Sequence, residues 1–193
     1  MAIRLLGGRA RGFVLQTPPE SITRPTAILL KRRLFDWRQD WSELSFVDLC
    51  AGSGSMGLEA LSRGASRVWL NEMNRTAFRV LEKNVAEYRH KQMTDSTQEL
   101  VATQLDFRRV LEKLAASNWN ATSVVVYFDP PYEAHDLYAQ FWDAVRGLEC
   151  EFWVESDNLK GVKLADQRQH LSSLVKEVEQ GQHWVLVGKS LSR

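Results

Sequence analysis

Sulfur, paired histidines and long apolar runs are all scarce in this 193-residue sequence. The two cysteines, Cys50 and Cys150, are widely separated with no C-x-x-C, which excludes a disulfide framework. The four histidines, His90, His135, His170 and His183, form no close pair, so no metal site is expected. The longest apolar stretch, VVVYF, is far too short to span a bilayer, and the opening MAIRLLGGRARGF lacks the apolar core of a signal peptide. A soluble, cytoplasmic protein with no membrane partner is expected. No repeat, low-complexity segment or linker interrupts the chain, so residues 1–193 read as one domain.

Acid is nearly missing from the first 35 residues, where Glu20 stands alone against Arg4, Arg9, Arg11, Arg24, Lys31, Arg32 and Arg33. The rest of the chain carries 18 basic and 23 acidic residues, so a net charge of +1 conceals a basic N-terminal extension. Its charges alternate with Gly7, Gly8, Gly12 and Phe13 in a hairpin-like pattern that suits a polyanion. The division expected is a basic extension over 1–35 and a core over 45–193.

In that core, strand and helix patterns alternate. The runs FVDLC, RVWLNE, VVVYFD and FWVES suit strands buried on both faces of a parallel sheet, and ELVATQLD is a weaker fifth. SLVKEVEQ and HWVLVGK, joined near Gly181, read as a closing antiparallel hairpin, for seven strands in all. After Glu72, Ala77, Phe78, Leu81, Val85 and Tyr88 recur at helical spacing and predict a core-facing stripe.

Ligands of such sheets sit beyond the carboxyl ends of the strands. Asp48, Glu72, Asp106, Asp129 and Glu155 all end strands, a position where an acid often only caps the next helix. FVDLCAGSGSMG adds a glycine turn: Gly52, Gly54 and Gly57 fit G-x-G-x-x-G, and Glu72 follows about 20 positions after Gly52. That pattern admits any nucleotide-like ligand. Asp48 beside the turn would oppose a pyrophosphate but welcome a sulfonium and an ammonium, so S-adenosylmethionine fits better than NAD. Glu72 would take the ribose hydroxyls and Asp106 the adenine amine, with Met73 and Phe107 packing on the adenine faces.

VVVYFDPPYEAHD carries the second half of the chemistry. Two prolines cannot continue a central ladder, so the strand ends in a stiff, donor-free turn. Asp129 and the Pro130 carbonyl can accept hydrogen bonds from an amino group, and Tyr132 offers a ring for a planar base.

Asp129, Pro130, Pro131 and Tyr132 together resemble the D/N-P-P-Y/F/W motif of amino-group methyltransferases. With DLCAGSGSMGLEALSRGAS and Glu72, they resemble the bacterial family that methylates guanine N2 in small-subunit (16S) ribosomal RNA. RLLGGRARGFVL, the R-P-T at Arg24 to Thr26, and Leu34 with Phe35 are similar to that family's N-terminal blocks. The chain departs from the family at Ala27, Ile28, Leu29, Leu30, Lys31 and Arg32, where a polar T-D-R and then V-R-E are usual. The resemblance implies an α/β class I methyltransferase fold, Rossmann-like, with helices on both faces of seven strands and the last strand antiparallel. It implies S-adenosylmethionine as cofactor, held by Asp48, Ala51, Gly52, Ser53, Gly54, Glu72, Met73, Asp106 and Phe107. Direct transfer to the N2 amine of a guanine at Asp129 to Tyr132 follows, on ribosomal RNA or a small-subunit particle. Arg4, Arg9, Arg11, Arg24, Thr26, Lys31 and Arg32 would contact RNA, and the enzyme is expected to act as a monomer without metal. An adenine-N6 DNA methyltransferase would use the same turn but normally needs a separate sequence-reading domain. A protein-glutamine methyltransferase usually has Asn where Asp129 stands, and an NAD oxidoreductase leaves the D-P-P-Y stretch unexplained.

Overall fold

The computed structural model describes residues 3–18, 28–91, 93–117, 119 and 123–190. Arg24 and Thr26 lie outside the described residues. Seven strands form one sheet: β3 (Ser45–Asp48), β4 (Arg67–Asn71), β5 (Glu99–Thr103), β6 (Val124–Phe128), β7 (Glu151–Asp157), β8 (Leu171–Gln180) and β9 (His183–Ser190). Their spatial order is β5-β4-β3-β6-β7-β9-β8. The first five in this order run parallel, and β9 is antiparallel to both β7 and β8. The apolar runs and the closing hairpin read from the sequence are all present. Gly181 (φ 63°) forms the tip between β8 and β9.

Alternation along the strands feeds two cores. Phe46, Val68, Leu70, Val125 and Tyr127 point to one face and pack with α1 (Ile28–Trp37), α2 (Ser55–Ser62) and α3 (Arg75–His90). Val47, Leu49, Val126, Phe128 and Val154 point to the other and pack with α4 (Phe107–Ala115), α5 (His135–Ala144) and the short α6 (Leu164–Gln167). Leu81, Val85 and Tyr88 of the predicted stripe on α3 are buried, as a helix whose apolar side faces the sheet requires.

The basic extension is not a free arm. β1 (Ile3–Arg4) and β2 (Val14–Leu15) pair antiparallel, and Leu5, Ala10, Phe13 and Leu15 between and within them belong to the first core. Arg9 N–H donates to the Ser62 carbonyl (2.8 Å), and Ala10 N–H to Ser62 Oγ (2.9 Å). At Gly8 (φ 70°) a Cβ would fall 1.9 Å from the Ser62 oxygen, so only glycine allows this approach to the end of α2. Gln16 exchanges two backbone hydrogen bonds with the buried Asn84 side chain of α3. The hairpin thus buries its apolar face and turns Arg4, Arg9 and Arg11 outward.

The chain leaves β3 toward β4 and β5 on one side, then returns to lay β6 on the other. β3 and β6 are therefore adjacent, and the helices that follow them pack on opposite faces, which is where a doubly wound sheet opens a ligand crevice. Asp48 sits opposite Tyr127, and Leu49 N–H donates to the Tyr127 carbonyl (3.0 Å). The glycine turn and the Asp129 turn thus begin side by side.

Candidate active site

The glycine turn is fixed from beneath and behind. Gly52 and Gly54 adopt left-handed φ of 54° and 83°, and Gly54 N–H closes onto the Ala51 carbonyl at 2.7 Å. Within α2, a Cβ on Gly57 would lie 2.2 Å from Leu70 Cδ2 and 2.9 Å from Val68 Cγ1, so glycine lets the helix rest on β4. Ser53 is buried and its carbonyl accepts from Asn84 Nδ2 (2.9 Å). Ala51 N–H reaches the Asn71 carbonyl at the end of β4 (2.8 Å).

Glu72 ties this turn to the next strand. One carboxylate oxygen accepts Gly52 N–H (2.9 Å), and the other accepts Asn74 N–H (2.8 Å). Burial raises its pKa, opposed by these two backbone donors. Neighbouring Asn71 has no role in the sequence reading but is buried and fully engaged. Its Nδ2 donates to the Leu49 and Leu105 carbonyls, and its Oδ1 accepts from Thr103 Oγ1 and Leu105 N–H, each at 3.0–3.1 Å. One amide therefore joins the loops that follow β3 and β5 to the end of β4. An asparagine inside an otherwise apolar strand, just before the acid, was the available signal.

Asp48 is the most perturbed acid of the turn. It is 1% exposed, and its Oδ1 has no hydrogen-bond partner among the described residues. Burial pushes its carboxyl up to about 8, and the nearby Glu72 charge adds to the rise. An uncompensated buried carboxylate oxygen beside a glycine turn fits a ligand that brings positive charge and hydrogen-bond donors. A pyrophosphate would meet repulsion there.

The remaining cofactor candidates differ in what they offer. Asp106 caps α4 by accepting Arg108 N–H (2.9 Å), and its carboxylate also takes the Arg108 guanidinium at 2.9 and 2.6 Å. These hydrogen bonds from Arg108 lower its pKa. Phe107 is buried 5.2 Å from Phe128, whereas Met73 is 66% exposed beside the turn.

Across the crevice, β6 is buried throughout and ends in the prolyl turn. Asp129 is half-buried, Pro130 buried and Pro131 exposed, with the Pro131 carbonyl accepting Ala134 N–H (2.9 Å). Cys50, in the glycine turn's approach, lies where the two halves meet. Burial pushes its thiol well up, and the charges of Glu72, Asp129 and Asp48 push it further.

Two expected contacts are corrected by the structure. Tyr132 is only 4% exposed, and its hydroxyl donates to Glu155 (3.1 Å) and meets His183 Nδ1 (3.3 Å), so its ring is not a presented stacking platform. Lys31 does not face solvent. Its Nζ donates to the Ser55 carbonyl (2.7 Å) and pairs with the fully buried Glu59 (3.2 Å), while burial lowers its pKa. Glu59 also accepts Leu6 N–H and Arg63 Nε, each at 2.8 Å. Arg32 remains exposed on the same helix.

Sheet order, the antiparallel strand inserted next to the edge and the glycine turn define a class I methyltransferase fold. The structure aligns over the whole of both chains with "Putative methyltransferase yhhF from Escherichia coli" at a TM-score of 0.72 and 26% identity. It also aligns with a human methyltransferase 10 domain containing protein at TM-score 0.64 and 12% identity, covering 92% of this chain and 88% of that one, a likeness of fold. The chain belongs to the family described as "Conserved hypothetical protein 95", whose profile matches residues 3–188. Among curated relatives, Ribosomal RNA small subunit methyltransferase D of Escherichia coli K12 is 41% identical over 85 residues. That match covers 44% of this chain and 43% of the relative. The protein of the same name from Haemophilus influenzae is 31% identical over 131 residues, 67% of this chain and 64% of that protein. The chain thus spans less than two thirds of the length of these relatives.

Proposed function

We propose that this protein transfers a methyl group from S-adenosylmethionine to the exocyclic N2 amine of a guanine in small-subunit ribosomal RNA. The observation that carries the reading is the pairing of Asp48 with Tyr127, which sets a turn with one unpartnered buried Asp48 oxygen beside an amine-accepting prolyl turn at the sheet's switch point. The names of the E. coli and H. influenzae relatives support ribosomal RNA as substrate, and the resemblance of the Arg4 to Leu15 block supports guanine N2.

When bound, the cofactor supplies an electrophilic methyl on a sulfonium. Asp48 would compensate its positive charge, the Gly52 to Gly54 backbone would receive it closely, and Glu72 and Asp106 would hold ribose and adenine beside Met73. Asp129 and the Pro130 carbonyl accept the N–H groups of the target amine. Its lone pair is delocalised into the base, and holding both N–H groups turns that pair toward the methyl. As the new N–C bond forms, the methyl–sulfur bond would break to leave a neutral thioether and the amine would release one proton to solvent, with no enzyme nucleophile taking part. The base must be unpaired or extruded to enter a crevice between strand ends. Outward-facing Arg4, Arg9 and Arg11 with Arg32 would supply phosphate contacts.

Small-subunit particles lacking their native methylation, incubated with enzyme and labelled cofactor and then digested to nucleosides, test the assignment. Label is expected in N2-methylguanosine. Label in N6-methyladenosine would assign the site to another amine.

A further inference from the structure

Glu155 does not end its strand as the sequence suggests but lies within β7, two residues before its last, is fully buried, and has no part in the cofactor or RNA contacts above. Its two carboxylate oxygens are divided between two tyrosines: Oε2 accepts the Tyr127 hydroxyl and Oε1 the Tyr132 hydroxyl. Tyr127 precedes Asp129 on β6, and Tyr132 ends the prolyl turn, so one carboxylate holds the turn at both ends. Further contacts brace this arrangement. Tyr138 of α5 donates to the Glu155 carbonyl (3.1 Å) and Ser156 Oγ (2.8 Å), and His183 at the start of β9 meets the Tyr132 hydroxyl (3.3 Å).

We infer that Glu155 is a positioning residue for methyl transfer: by anchoring Tyr127 and Tyr132 it fixes the Asp129–Pro130 acceptors toward the amine. The inference rests on the proposed role of that turn. It also gives the buried Tyr132 a function as anchor in place of base stacking.

An ionised Glu155 can accept both hydroxyls. Once protonated, it offers one oxygen as a donor and releases one of the anchors. Burial pushes the carboxyl up to about 7 against the two hydroxyl donors, so release falls within an accessible pH range. The groups packed on it are Tyr127 from β6, Tyr132 from the turn and Tyr138 from α5, with His183 of β9 and the Asp129 charge acting on Tyr132. Burial raises the Tyr132 pKa and the Asp129 charge raises it further, which keeps that hydroxyl a donor.

Single-turnover transfer to small-subunit particles at saturating S-adenosylmethionine, from pH 6 to 9, tests the inference on E155Q, Y132F and the double variant. Y132F keeps the ring and removes only the hydroxyl, and H183Q removes the imidazole that meets that hydroxyl. At pH 8.5 each of E155Q and Y132F should slow transfer on the order of 10- to 100-fold, with cofactor Kd and RNA KM within about twofold of wild type. The double variant should be no slower than the slower single one. Wild type and H183Q should lose rate below about pH 7, and E155Q should lack that acid limb. A wild-type rate and acid limb in E155Q, or loss of cofactor affinity matching the loss of rate, would overturn the positioning role. If wild-type enzyme transfers no label to RNA, the proposed function fails and this inference falls with it.

Discussion

At the scale of single residues, charge state links stability and ligand binding. The Asp48 carboxyl rises from an ordinary 3.8 to about 8 in the fold. Between those values the folded state holds a proton that the unfolded state has released, so Asp48 makes stability fall as pH rises from about 4 to about 8. A cationic ligand binds the ionised form, so cofactor affinity should do the opposite, strengthening by up to about tenfold per pH unit below 8. Titration calorimetry on wild type and Asp48→Asn checks this: the variant should bind weakly and with a reduced pH slope, while an unchanged slope would remove Asp48 from the site. Glu72→Ala deprives the Gly52 and Asn74 N–H groups of their acceptor. Loss of these charge-assisted bonds should weaken cofactor binding by about 1.5–3 kcal/mol, measured in the same titration, and lower Tm. Asp48 and Glu72 were legible because their spacing from the glycines carries the chemistry. Tyr132 was not, because its anchors Glu155 and His183 arrive from strands far along the chain.

At the scale of elements, the extension and α1 divide into structural and surface charge. Lys31 sits within a basic run and reads as solvated until Glu59 on α2 is placed against it, a pairing no local pattern reveals. Removing one partner of a buried ion pair leaves a stranded charge, so Lys31→Ala should destabilise the fold by about 3 kcal/mol, read by denaturant melts. The salt dependence of RNA binding should stay unchanged in that variant. Arg11→Ala and Arg32→Ala should behave oppositely, each reducing the log-log salt slope by about 0.7–0.9 with little effect on Tm. If Lys31→Ala alone altered the slope, its buried pairing with Glu59 would not describe the protein in solution. Gly57→Ala should cost about 1–3 kcal/mol by lifting α2 off Leu70 and Val68. The strands themselves were easier to read: β3 and β6 are buried on both faces, so each presents a continuous apolar run, whereas β5 at the sheet edge mixes exposed Glu99 with half-buried positions and gives a weaker pattern.

At the scale of the whole molecule, the fold sets the glycine turn and the prolyl turn on adjacent parallel strands and braces each from a different direction. Asn71 and Glu72 at the end of β4 hold the glycine turn, while Glu155 within β7 holds the tyrosines that flank the prolyl turn. The N-terminal hairpin is packed onto α2, so deleting it removes Leu5, Phe13 and Leu15 from the core along with the arginines. The central claim is that the Asp129 turn acts on the amine while the Asp48 turn holds the cofactor. Asp129→Ala tests it most directly, with cofactor Kd by calorimetry and single-turnover methyl transfer to small-subunit particles measured on the same preparation. A Kd within about twofold of wild type and a rate about 100-fold lower are expected, the loss typical of one preorganised transition-state partner. An unchanged rate, or a Kd that weakens as far as the rate falls, would contradict the account.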